Sequence, residues 1–172
     1  MKFWKLMLIM ALMAGLFVFV ACDDDDDDDD DNTGPVETIE DMVVGEWLSA
    51  GDDVAALLVT YFSIDSVVVT FNENQTVTTN KHVIDTGWSM DEGTWSIVES
   101  DEGAIHTIHI DYTAPVAYSQ DGIIRVVEGT EDVMTLEVVQ TDPDIQATVP
   151  TVDGGFGVDP TLTDMNVQTY RK

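Results

Sequence analysis

The chain has 172 residues, of which 34 are Asp or Glu and only 6 are Lys or Arg, so its formal net charge is -28 at pH 7. This balance excludes nucleic acid as a partner, because binding to phosphates needs clustered Lys and Arg. Hydrophobic residues make up 44% of the chain, which is enough for one core and predicts a single domain with an anchor and a linker. The one cysteine, Cys22, excludes an intramolecular disulfide.

The first 21 residues are typical of an export signal. Two lysines precede an uncharged apolar run over residues 6–21, and the small Ala21 stands just before Cys22. The run is shorter than the about 20 residues of a membrane-spanning helix and fits a signal peptide. The stretch Phe19–Cys22 resembles the lipobox of bacterial lipoproteins. That resemblance implies that residues 1–21 are a cleaved signal peptide and that Cys22 carries the lipid; an uncleaved anchor and simple secretion are the alternatives.

Residues 22–35 are predicted to be a linker after the lipidated cysteine. Nine consecutive aspartates, Asp23–Asp31, are followed by a segment that ends in Gly34 and Pro35. An acidic run directly after the cysteine resembles the surface-export signal of Bacteroidetes-type lipoproteins. This implies a protein anchored in the outer membrane by lipid, facing the periplasm or the cell surface. The simpler interpretation is a self-repelling spacer, and both can hold.

Residues 36–172 are predicted to form one domain rich in β-strands. Apolar residues that alternate with polar ones predict eight strands, at residues 43–49, 66–71, 76–83, 93–98, 104–112, 123–127, 133–139 and 165–170. Helical spacing after Asp53 predicts one short helix over about residues 53–62. Turns are expected at the Gly-containing stretches 85–87, 91–93 and 120–122.

The short connections predict an all-β, antiparallel up-and-down meander of about eight strands. Eight strands close a barrel that holds one small ligand, and a β-sandwich is the alternative. The exception is the long connection Gln140–Asp164, which holds three of the five prolines. Long connections are usually functional or disordered, so we expect a binding loop here, near an open mouth of the barrel.

The motif Gly45-Glu46-Trp47 matches the Gly-x-Trp that opens lipocalin domains. The helix after the first strand, the hairpin over residues 69–77 and the stretch Gly93–Ile97 continue the pattern, so residues 43–172 resemble the lipocalin-like lipoproteins of Bacteroidetes and their relatives. The resemblance implies that Trp47 plugs the closed end of a barrel and that an arginine from late in the chain, Arg171 or Arg125, packs on it. It also implies a non-enzymatic module that binds a small apolar or amphipathic ligand.

Five aromatic residues are the candidates for contact with such a ligand, although Trp47 and Trp95 are more often core residues than ligand platforms. They are Trp47, Phe71, Trp95, Tyr112 and Phe156. The alternative is a structural or interaction domain, in which large inward side chains fill the barrel and the loops bind a protein or glycan partner.

Three aspartates around the Gly154–Gly157 turn are candidate calcium ligands, namely Asp153, Asp159 and Asp164, although their spacing is not that of an EF-hand. His106 and His109 lie three apart on a strand and face opposite sides, so they cannot bind one metal together. No catalytic residue is predicted, because the chain lacks a nucleophile elbow, a phosphate loop and zinc spacing. A carboxylate-dependent hydrolase is a third hypothesis. We expect a monomer without a cofactor other than possible calcium.

Overall fold

The computed structural model describes residues 37–101 and 103–172. The predicted signal peptide 1–21, the lipidation site Cys22 and the linker 22–35 lie outside the described residues. Within the described ranges, no helix has both the length and the apolar character needed to cross a membrane.

Eight strands and two short α-helices make up most of the described chain. In chain order they are α1 (Ile39–Val43), β1 (Gly45–Ala50), α2 (Ala56–Phe62), β2 (Ile64–Phe71), β3 (Thr76–Val83), β4 (Gly87–Val98), β5 (His106–Ala114), β6 (Tyr118–Val127), β7 (Val133–Asp142) and β8 (Gln168–Arg171). Two 3-10 helices, Gly51–Asp53 and Thr163–Asn166, precede α2 and β8.

The strands form a closed antiparallel barrel in sequence order, β1 to β8. Every strand pairs with the next, and β8 returns to β1 through the pair Leu48 and Arg171. The all-β, lipocalin-like barrel with a short helix after its first strand is therefore confirmed. Alternation along each strand sends apolar side chains inward, where they form one core.

The closed end of the barrel is built around Trp47, which is fully buried. Its indole nitrogen donates a hydrogen bond of 2.7 Å to the carbonyl oxygen of Val43, the last residue of α1. Gly45 has a φ of 130°, and a Cβ at this position would lie 2.8 Å from the Cε atom of Lys172. The glycine of the Gly-x-Trp motif is thus required by its backbone conformation, whereas the flexible end of Lys172 could move away from a Cβ.

The cation that packs on Trp47 is Lys172 rather than an arginine. Its Nζ lies 5.1 Å from the centre of the Trp47 ring and donates a hydrogen bond of 2.7 Å to the carbonyl oxygen of Val44. Arg171 extends to the opposite side of its strand, where its guanidinium pairs with Asp53 and Glu131. The expectation for Arg171 or Arg125 was therefore wrong about the residue, although a cation does lie there.

Two predicted turns, 91–93 and 120–122, are wrong because they lie inside β4 and β6. Their glycines serve close packing between neighbouring strands. A Cβ at Gly93 would lie 2.0 Å from the carbonyl oxygen of Asp111, and one at Gly122 would lie 2.0 Å from that of Glu137. Glycine inside a strand often marks such an approach rather than a turn.

Candidate ligand-binding cavity

A cavity of about 360 Å³ occupies the barrel interior at the end opposite Trp47. It opens between α2 and the loop that follows β5, where the lining residues Phe62 and Val116 are exposed. The volume lies within the range of about 300–1,000 Å³ that is usual for small-molecule sites. The apolar side chains that line it include Leu58, Ile64, Val67, Val69, Ile110, Leu136 and Val138.

The lining also holds an ion pair. Lys81 on β3 and Asp91 on β4 both line the cavity, and the Lys81 Nζ contacts the Asp91 carboxylate. The same Asp91 oxygen accepts a hydrogen bond of 2.6 Å from the hydroxyl of Tyr118 on β6. The Asp91 side chain is 9% exposed, so this carboxylate has two donors to compensate for its burial.

Two stacked tyrosines add further polar groups to the lining. The rings of Tyr112 and Tyr118 lie 4.6 Å apart and nearly parallel, and the Tyr112 hydroxyl is 2.8 Å from the Thr79 Oγ1. Burial raises the pKa of Tyr112 to about 12. Burial, together with the hydrogen bond to Asp91, also raises the pKa of Tyr118. Both phenols therefore remain protonated donors throughout the neutral pH range.

Four amide side chains complete the lining, namely those of Gln120, Gln140, Asn166 and Gln168. Gln140 donates to the carbonyl oxygen of Pro143, and Asn166 donates to that of Val138. Gln168 is 7% exposed, and its Nε2 has no hydrogen-bond partner among the described residues. Buried polar groups are normally paired, so this nitrogen is a buried donor without a partner, on a residue that lines the cavity.

Of the five predicted ligand-contacting aromatics, the structure places Tyr112 in the cavity wall. Trp47, Phe71 and Trp95 pack together in the core below the cavity, where the rings of Phe71 and Trp95 meet edge to face at 5.4 Å. Phe156 lies outside the barrel, with its ring 5.4 Å from the guanidinium carbon of Arg125. These four residues are not among those that line the cavity.

The long connection between β7 and β8 packs on the outer face of the barrel. The backbone nitrogen of Gly157 donates a hydrogen bond of 2.8 Å to the Glu137 carboxylate. Glu137 and Val139 point outward from β7, yet they are 1% and 6% exposed. Of the predicted loop Gln140–Asp164, the first residue lines the cavity, as does Asn166 just beyond its end. The connection therefore leaves and rejoins the barrel beside the cavity, while residues 141–164 do not line it.

The three candidate calcium ligands are occupied locally or are exposed. Asp159 accepts hydrogen bonds from the backbone nitrogens of Thr161 and Leu162 at 2.6 and 2.8 Å, which lower the pKa of its carboxyl. Asp164 accepts one from the Thr163 hydroxyl, and Asp153 is exposed. Over residues 37–101 and 103–172, no group of three or more His, Cys, Asp or Glu side chains is placed to hold a metal ion.

A second titratable cluster lies on the outer face of β5 and β6. The His109 Nδ1 is 2.7 Å from an Asp121 oxygen, and its Nε2 is 3.0 Å from an Asp111 oxygen. Thr141 donates to the other oxygen of Asp121, and Ser119 donates to Asp111. This cluster is separated from the cavity by the sheet.

Sequence reasoning missed the four polar residues that distinguish the cavity: Lys81, Asp91, Tyr118 and Gln168. Lys81 was detectable, because it continues the inward series of Val77 and Thr79 at a spacing of two. Asp91 was not predicted to point inward, because residues 91–93 were wrongly predicted to form a turn. Tyr118 and Gln168 carry no local signal, because each acquires its role through contacts with distant strands.

Comparison with models of protein families, with curated proteins and with solved structures finds no match for this chain. Its class is defined by its own geometry, which is that of an eight-stranded antiparallel barrel with an internal cavity open at one end.

Proposed function

We propose that this domain is a non-enzymatic, lipocalin-like binding module for a small apolar or amphipathic molecule. The observation that supports the proposal is the cavity of about 360 Å³, whose lining combines apolar side chains with a few polar ones. A few placed polar groups within an apolar pocket are typical of small-molecule sites. Fold alone does not establish function, so the proposal depends on the cavity rather than on the barrel.

The large aromatic side chains bear on the alternative of a filled barrel. Trp47, Phe71 and Trp95 fill the closed end, but the residues toward the open end do not fill the cavity between them. A barrel filled along its whole length would have no such space. The binding module is therefore the better proposal, and loop-mediated binding of a protein or glycan is the second.

The proposal is tested by blocking the cavity in a fragment of residues 33–172, which retains all eight strands and the core. The probe is the uncharged dye N-phenylnaphthylamine, whose fluorescence rises in apolar surroundings. Val138→Phe places a ring in the cavity wall, and we expect it to weaken dye binding at least about tenfold, which corresponds to about 1.4 kcal/mol.

The matched control is Val127→Phe, at the exposed last residue of β6, which is not a lining residue. It should bind the dye as the unaltered fragment does, and thermal unfolding of both variants verifies folding. Absence of dye binding by the unaltered fragment, or equal binding by the two variants, would contradict the cavity site and favour the interaction domain.

We also propose that the protein is a lipoprotein anchored in the outer membrane through Cys22, with residues 1–21 removed. The support is the lipobox resemblance and the acidic run that follows it. Two or more acyl chains give stable anchoring, whereas one gives reversible binding. Expression of Cys22→Ser should yield an unlipidated protein that no longer sediments with membranes, and a variant that stays bound and acylated would refute the proposal.

A further inference from the structure

The charges in the cavity wall cancel one another. Lys81 and Asp91 are the two charged residues among those that line it, and they pair directly. The Asp91 oxygen that contacts Lys81 also accepts the Tyr118 hydroxyl, so the negative charge of this carboxylate is already compensated within the wall. A charged ligand would therefore bury its charge beside a pair that is already satisfied, which is costly.

The charge of the whole domain adds to this selection against anions. Residues 37–172 contain 25 acidic residues and four basic ones. A field of this sign repels an anion as it approaches the mouth. A cation is attracted to the surface, but the Asp91 carboxylate is held by Lys81 when the cation arrives in the cavity.

One donor in the wall lacks a partner within the chain. The Nε2 of Gln168 is buried and unpaired among the described residues. Leaving such a group unpaired costs stability, and an acceptor oxygen on a ligand would recover that cost. Gln168 lines the cavity, so a ligand that fills the cavity lies beside this amide.

We infer that the cavity selects an uncharged amphiphile whose oxygen accepts a hydrogen bond from Gln168 and whose apolar body packs against Leu136, Val138 and the facing aliphatic residues. Gln168 then determines specificity for the polar group, and the pair Lys81–Asp91 excludes ions. This inference rests on the proposed binding function and adds to it the chemical class of the ligand.

The experiment compares three molecules that share one chain length: 1-decanol, decanoate and decylammonium. Each is used at neutral pH to displace N-phenylnaphthylamine from the fragment of residues 33–172. We expect decanol to displace the dye at a concentration at least about tenfold lower than either ion. If either ion displaces the dye as well as decanol does, the inference is overturned while the binding function stands.

Two variants test the roles of the residues separately. Gln168→Met keeps the length of the side chain and removes the donor, so decanol should bind about fivefold to tenfold more weakly while the melting temperature is retained or rises. Asp91→Asn frees Lys81, so the affinity for decanoate relative to decanol should rise about tenfold.

These results distinguish the inference from a merely structural role. A structural glutamine would lower stability when replaced, whereas the inferred one lowers affinity without lowering stability. Unchanged decanol binding by Gln168→Met, or an unchanged preference in Asp91→Asn, would overturn the corresponding part of the inference. If the unaltered fragment binds neither the dye nor any of the three molecules, the proposed function itself fails.

Discussion

His109 shows how one residue on the outer face makes stability depend on pH. Its hydrogen bond to Asp121 and then that to Asp111 raise the pKa of the imidazole, against the effect of partial burial. Hydrogen bonds from Ser119 and His109 lower the pKa of Asp111. For Asp121, burial acts to raise the pKa, but the bonds from Thr141 and His109 outweigh it and the net pKa is lowered.

The cluster should stabilise the barrel most between about pH 4 and about pH 6.5, which are the pKa values of Asp and His in the unfolded chain. A raised histidine pKa gives stability that is present below the unfolded value and is lost as the pH rises through the folded one; a lowered carboxyl pKa gives stability that is lost as the pH falls. We therefore expect His109→Gln to reduce the melting temperature more at about pH 5.5 than at about pH 8.5.

The control for this prediction is the same substitution in an Asp111→Asn, Asp121→Asn background. With both carboxylates neutralised, His109→Gln should cost about the same at the two pH values. An equal cost in the unaltered background as well would show that the pairs contribute no pH-dependent stability. Double-mutant comparison is needed because exposed pairs contribute little individually.

At this scale the sequence predicted Trp47 and Tyr112 as inward residues, because alternation fixes the face of a strand residue. It did not predict that Lys172 rather than Arg171 would reach Trp47, because one residue of shift in a strand exchanges the two faces of the sheet. The sequence likewise could not predict that the Gln168 nitrogen lacks a partner, because this depends on every strand around it.

The connection between β7 and β8 is the element that differs most from its sequence interpretation. Its hydrogen bond from Gly157 to Glu137 and its ring contact between Phe156 and Arg125 attach it to the outer faces of β6 and β7. It therefore covers outward residues that would otherwise be exposed, such as Val139. Its role in the structure is to shield one side of the barrel.

Phe156→Ala should destabilise the fragment of residues 33–172 by about 1–2 kcal/mol, through lost apolar burial and the lost cation–π contact. Dye binding should be unchanged, because Phe156 is not a lining residue. Urea unfolding and dye titration measure the two effects. Val158→Ala, at a neighbouring exposed side chain, should cost less than about 0.5 kcal/mol; a loss of dye affinity in Phe156→Ala would contradict this assignment.

The eight strands and the helix after β1 were predictable, because each has a clear period of two or of about 3.6. The errors came at glycines. Stretches 91–93 and 120–122 contain acidic residues and a glycine, as turns do, but Gly93 and Gly122 instead allow neighbouring strands to approach. Such an approach is a property of two paired strands and leaves no separate mark in either one.

The molecule as a whole carries far more negative than positive charge, and each cation in the described part of the chain has a partner. The four basic residues after residue 36 are Lys81, Arg125, Arg171 and Lys172, and each contacts a carboxylate or an aromatic ring. The remaining acidic side chains repel one another across the surface. This repulsion opposes the compact state at low ionic strength.

Sodium chloride should therefore raise the melting temperature of the fragment of residues 33–172. The Debye length falls from about 30 Å at about 0.01 M salt to about 3 Å at about 1 M, which screens the repulsion. The exposed pairs of Arg171 are weakened too, but such pairs contribute only about 0–1 kcal/mol.

A variant with three exposed acids neutralised, Glu73→Gln, Glu92→Gln and Glu128→Gln, should show a smaller rise with salt. The comparison separates screening of surface charge from general effects of salt on apolar burial. A flat response in the unaltered fragment, or an equal rise in the two proteins, would contradict the role given to surface repulsion.

The join between β1 and β8 consists of one residue pair, whereas every other pair of neighbouring strands shares at least four. The barrel is thus an eight-stranded sheet whose closure depends on its shortest strand pairing. β8 carries Gln168 and Tyr170, which both line the cavity, so the strand with the fewest paired residues is also part of the cavity wall. We therefore expect any widening of the barrel around a ligand of the proposed class to begin at this edge, without repacking of the other seven strands.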